Sequence, residues 1–126
     1  MNAYLLVGLG GAIGSIARYG SGLLVGRLWT SPFPLATMLI NVAGSLIMGL
    51  FIGFLARTTP AWQSDARLFV AVGLLGGFTT LSSFSLDTVF LLERGEVAQA
   101  ALYVAGSVAI SIVALFAGLL IMRAGA

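Results

Sequence analysis

The stretch Gly73-Leu74-Leu75-Gly76-Gly77-Phe78-Thr79-Thr80-Leu81-Ser82-Ser83-Phe84-Ser85-Leu86-Asp87 decides how this chain is read. It lies inside an apolar run, yet two adjacent glycines are followed by five hydroxyl residues within seven positions. Such a segment makes a poor uninterrupted helix, because glycine leaves the backbone unrestricted and Ser and Thr hydroxyls compete for its hydrogen bonds. A break there frees backbone carbonyls and amides, which hydrocarbon tolerates only where they are buried in protein or line a cavity. Carbonyls freed in this way suit a hard cation such as Na⁺, as in discontinuous transporter helices.

Around this stretch, four apolar runs cover approximately 3–26, 34–56, 68–92 and 97–122, separated by short charged or turn-rich breaks. Each exceeds the roughly 20 residues that a bilayer requires, and helices are the only form that satisfies their backbone in lipid. The expected fold is an all-α integral membrane protein: a single domain over 1–126 with four transmembrane helices, the third broken near its middle. Trp29 and Trp62 fall at segment ends, where amphipathic rings settle at the interface. The first run lacks a basic leader and holds Arg18 internally, so it does not read as a cleaved signal peptide. There is no internal repeat.

Composition agrees. Of 126 residues, 60% are hydrophobic and 8% charged, against about a quarter charged in a soluble domain. Six arginines, no lysine, two Asp and two Glu give a net charge of +2, and the arginines are too scattered for a nucleic-acid surface. Without Cys or His there are no disulfides, imidazole bases or common transition-metal sites. Three of the four carboxylates (Asp65, Glu93 and Glu96) sit in short loops, and the chain does not read as an enzyme.

With four spans, Arg57, Arg67 and Arg123 share one side, Arg27 and Arg94 the other, and Arg18 lies within the first span. Three against two is a weak bias. Either one arginine decides the orientation, or the chain inserts both ways and pairs antiparallel. A thin four-helix bundle with 17 glycines favours oligomerisation, and Gly10/Gly14, Gly22/Gly26 and Gly49/Gly53 have the small-residue spacing of close helix contacts.

Polar residues inside spans are functional candidates. Arg18 either snorkels to the interface or fixes a positive field at a pore vestibule. Asn41, one turn after Thr37, either bonds a neighbouring helix or offers its amide hydrogens to a pore. Asp87 is either a boundary carboxylate or a pore group. Tyr103, Ser107 and Ser111 recur every four residues and so form one stripe, for helix contact or for a polar track. Neutral donors with a nearby cation, and few acids within the spans, favour a small anion as the transported species.

The four-span plan, Asn41, and the block Gly76-Gly77-Phe78-Thr79-Thr80-Leu81-Ser82-Ser83-Phe84-Ser85 closely resemble the Fluc (CrcB) family of bacterial fluoride channels over essentially the whole chain. The resemblance implies a fluoride-selective channel that passively exports the cytoplasmic anion across the bacterial inner membrane, built as a dual-topology antiparallel homodimer with two pores. It implies that Asn41, Thr80, Ser83 and Phe84 belong to the pore, Phe84 as the second member of an aromatic pair. Leu81 stands where the family usually has the first phenylalanine, filling similar space without an electropositive ring edge. Tyr103, Ser107 and Ser111 would form the polar track, Arg18 the vestibule cation, and carbonyls near Gly76 and Thr79 would hold a central structural Na⁺ shared by both subunits. Two alternatives stand beside it. One is a small dual-topology exporter, which would want a carboxylate in the first span. The other is a non-conducting accessory membrane protein.

Overall fold

The computed structural model describes residues 2–125 and is wholly helical among them. Helix α1 covers Ala3–Leu28 and α2 covers Leu35–Thr58. Helix α3 begins at Gln63–Ala66, widens into a π-helix over Arg67–Leu75 and ends with Gly76–Phe78. Helix α4 covers Leu81–Glu93 and α5 covers Val97–Ala124. The expected break is therefore present, and it falls at Thr79 and Thr80, between α3 and α4.

Three helical stretches, Leu35–Thr58, Gln63–Glu93 and Val97–Ala124, are long and apolar enough to cross a membrane. Helix α1 is long enough, but seven glycines together with Arg18 and Arg27 dilute its hydropathy. Its surface is nonetheless apolar, with Leu5, Ile13, Ile16 and Leu24 all exposed. The buried set is small, and Leu55, Leu75, Leu91 and Tyr103 are its largest members. Large aliphatic side chains outside and a thin interior are what a lipid-facing bundle requires.

Two parallel pairs build the bundle. In the first, α1 lies along α3, and a methyl at Gly14 would strike the Leu74 carbonyl. In the second, α2 lies along α5, with Met38 beside Gly106 and Gly53 beside Met122. A Cβ at Gly49 would likewise strike the Leu115 carbonyl. The Gly10/Gly14 and Gly49/Gly53 spacings thus serve contacts within the chain, where small residues let backbones touch. Gly22 and Gly26 face open space instead.

Candidate functional site

The break is held open by side chains that take over the backbone's own hydrogen bonds. Thr79 and Thr80 are both extended, with φ,ψ of −80°,155° and −150°,124°. In an unbroken helix the Thr80 N–H would reach the Gly76 carbonyl. Here it donates to Asn41 Oδ1 at 2.8 Å, and Asn41 Nδ2 donates to the Thr80 carbonyl at 3.0 Å. The Ser83 N–H, which would otherwise reach the Thr79 carbonyl, donates to Thr80 Oγ1 at 3.1 Å. Thr80 is thus the N-cap of α4. Thr79 closes α3 by donating its N–H and its hydroxyl to the Leu75 carbonyl, at 2.9 and 2.8 Å.

Two consequences follow. The Gly76 and Thr79 carbonyls lose their helical donors, and the first-turn amides of α4 open onto the break with the positive end of its dipole. Asn41 acts as the interhelical bridge and still keeps a second amide hydrogen. Arg18 does not snorkel outward. It is half-buried, and its Nε donates to the Gly77 carbonyl at 3.1 Å, bracing the break from the α1 side as Asn41 does from α2.

Beside the break, α2, α4 and α5 enclose a cavity of ≈ 350 Å³ that is open along one side. Asn41, Thr80, Leu81, Phe84, Ser107 and Ser111 line it. The Ser107 and Ser111 hydroxyl oxygens are buried and have no hydrogen-bond partner among the described residues. Serine in a helix commonly bonds back to the carbonyl one turn earlier, and a buried polar group left unpaired costs about 1–3 kcal/mol. Leu81 sits at the rim, 76% exposed.

Tyr103 belongs to the same stripe but stands behind the cavity, fully buried. Its ring packs against Phe84 at 5.0 Å and meets Phe33 edge-on at 5.6 Å. Its hydroxyl donates to Asp87 Oδ2 at 3.1 Å, so Asp87 is anchored inside the bundle. Ser83 contributes its backbone N–H to the α4 cap and is not among the residues lining the cavity. Sequence reasoning missed Ser45 and Met48, which also line it. Ser45 was findable, since it continues the Thr37–Asn41 face by one more turn. Gly44 was missed too, and a Cβ there would strike the Thr79 methyl group, so glycine lets the break lie against α2.

Residues 5–119 match the family described as CrcB-like protein, Camphor Resistance (CrcB). Among curated relatives, the fluoride-specific ion channel FluC 2 of Nitrobacter hamburgensis is 51% identical over 120 residues, covering 95% of this chain and 96% of its own. The fluoride-specific ion channel FluC of Nitrobacter winogradskyi is 52% identical, covering 94% of each chain. The FluC of a Caulobacter species is 46% identical, covering 98% of this chain and 96% of its own. With a family match and relatives at about half identity over nearly its full length, the chain belongs to the CrcB family.

Proposed function

We propose that this chain is a fluoride-selective channel that lets cytoplasmic fluoride leave the cell passively across the bacterial inner membrane. The observation that carries the reading is the pair of buried, unpartnered hydroxyls of Ser107 and Ser111, two residues in the wall of a cavity that Asn41 also lines. Fluoride is a small, strongly hydrated acceptor that must shed water to be held between these side chains. Hydroxyl and amide hydrogens lacking an acceptor replace that water without holding the ion too tightly to leave. None of the cavity's lining residues is acidic, which suits an anion and not a cation. Relatives at about half identity bear the name of fluoride-specific channels, and a channel of this family is not an enzyme.

No energy coupling is needed. Fluoride enters cells as neutral HF from acid surroundings and dissociates inside, and an inside-negative potential of 100 mV drives the trapped anion outward by about 2.3 kcal/mol. In this reading α1 is the fourth span of a single transmembrane domain. A second, antiparallel copy covers the open side of the cavity and the exposed Leu81. Asn41, Thr80, Phe84, Ser107 and Ser111 line each pore, with Leu81 at its rim and Tyr103 orienting Phe84 from behind. Ser83 acts through the cap of α4, and Arg18 sets a positive field beside the break.

The Gly76 and Thr79 carbonyls fit a Na⁺ ion, because side chains have taken both of their helical donors and a hard cation prefers oxygen ligands. When bound, Na⁺ supplies a fixed positive charge at the break, shared between the two copies. Fluoride efflux from liposomes holding the purified protein, read by a fluoride-selective electrode and repeated with chloride, tests the proposal. Rapid fluoride loss with little chloride loss is expected. A folded dimer that passes neither ion would overturn the reading in favour of an accessory protein.

A further inference from the structure

Helices α2 and α5 run parallel and end together, each with an arginine in its last turn, Arg57 and Arg123. Both arginines line a second cavity of ≈ 510 Å³, whose other walls are Ile52, Gly53, Ala56 and Leu119. A bare requirement to compensate two helix C-termini would explain arginines near the last carbonyls, and Arg57 Nη2 does donate to the Gly125 carbonyl. It would not explain an apolar groove between them. A guanidinium carries five N–H donors, and the carbonyl that Arg57 meets is neutral, so its charge is not cancelled there. Of the four Asp and Glu side chains, all among the described residues, only Asp65 lies at this end of the bundle, in the first turn of α3 and outside the groove lining.

We propose that this groove holds an acyl chain of an anionic phospholipid, with the lipid phosphate held between Arg57 and Arg123. Both helices are long and apolar enough to span the membrane, so their last turns reach headgroup depth while the groove walls lie in the acyl region. Guanidinium groups match phosphate oxygens in geometry as well as charge, and basic residues at an anionic membrane surface contribute about 1 kcal/mol each. The proposal needs only that α2 and α5 cross the membrane, and it stands or falls independently of which ion the chain conducts.

Native mass spectrometry of the full-length protein, released from nanodiscs of equal phosphatidylglycerol and phosphatidylcholine, tests it. The protein is expected to retain phosphatidylglycerol over phosphatidylcholine by roughly tenfold or more, as two charges of this strength imply. The Arg57→Gln/Arg123→Gln variant is expected to lose that preference. Arg27→Gln/Arg94→Gln, which removes as many charges from the other end, is expected to keep it. Equal retention of both lipids, a preference that survives Arg57→Gln/Arg123→Gln, or an equal loss in Arg27→Gln/Arg94→Gln would each overturn the proposal. So would displacement of the lipid by millimolar inorganic phosphate, which would make the site one for a free anion. Ala56→Trp fills the groove and leaves both charges in place, so it decides the matter even if the double variant fails to fold. It is expected to shed the lipid, and retention would overturn the proposal.

Discussion

At the scale of single residues, the two orphaned serine hydroxyls separate function from stability. An ordinary buried hydroxyl loses a hydrogen bond when mutated, and the protein weakens. Ser107 and Ser111 have none to lose among the described residues. Ser107→Ala and Ser111→Ala are therefore expected to leave thermal stability in detergent unchanged, or to raise it by up to about 1 kcal/mol. Fluoride efflux should fall on the order of tenfold, as losing about 1.4 kcal/mol from a barrier implies. A parallel fall in both quantities would mean that the hydroxyls only pack helices. Asn41→Ala should behave differently, because its two bonds to Thr80 hold the break. Efflux should drop by more than tenfold and stability by about 1–3 kcal/mol, at about 0.5–1.5 kcal/mol per bond, with dimer assembly retained in cross-linking. The sequence could offer Asn41 only as a bridge or a pore donor. Its side-chain amide has enough hydrogens for both roles, and no periodicity argument reveals which partner takes one of them.

At the scale of helices, the glycines that look equivalent in sequence divide into two classes. Gly14 and Gly22 each belong to a small-residue pair, but only Gly14 touches another helix of the same chain. Gly14→Ala drives a methyl into the Leu74 carbonyl and is expected to destabilise by about 1–3 kcal/mol in an unfolding assay. Gly22→Ala meets nothing within the chain and should gain up to about 1 kcal/mol of helix propensity. If Gly22→Ala instead weakened dimer assembly, its face would be the one that meets the second copy. The four apolar runs and the break in the third were legible because hydropathy and hydroxyl clustering act locally. The break's supports were less so. Arg18 on the Gly77 carbonyl spans 59 positions and Asn41 on Thr80 spans 39, and single-sequence patterns do not carry such pairings. The π-helical widening over Arg67–Leu75 was invisible for a related reason, since those residues have the composition of any apolar helix. Tyr103 shares its stripe with Ser107 and Ser111, yet it is sealed behind Phe84, a distinction made by ring packing and not by spacing.

At the scale of the whole molecule, a chain with so small a core and so many exposed aliphatic side chains leaves its orientation to a few charges. Arg57, Arg67 and Arg123 oppose Arg27 and Arg94, and a difference of one arginine is a weak determinant of insertion. Reporter fusions at the C-terminus are therefore expected to report both sides of the membrane in comparable amounts. Two lysines added to the α2–α3 connection should bias nearly all copies one way, and two added to the α4–α5 connection the other way. If each pore requires antiparallel partners, either biased variant alone should lose fluoride efflux, and co-expression of the two should restore it. Full efflux from a single biased variant would mean that one protomer, or a parallel pair, suffices. The cavity's open side would then face lipid, and a pore open to hydrocarbon cannot hold a hydrated anion, so the conducting path would have to run elsewhere in the bundle. Function restored only by the mixture would tie the weak charge bias, the thin core and the incomplete cavity wall to one cause: half of the channel's walls come from a chain inserted upside down.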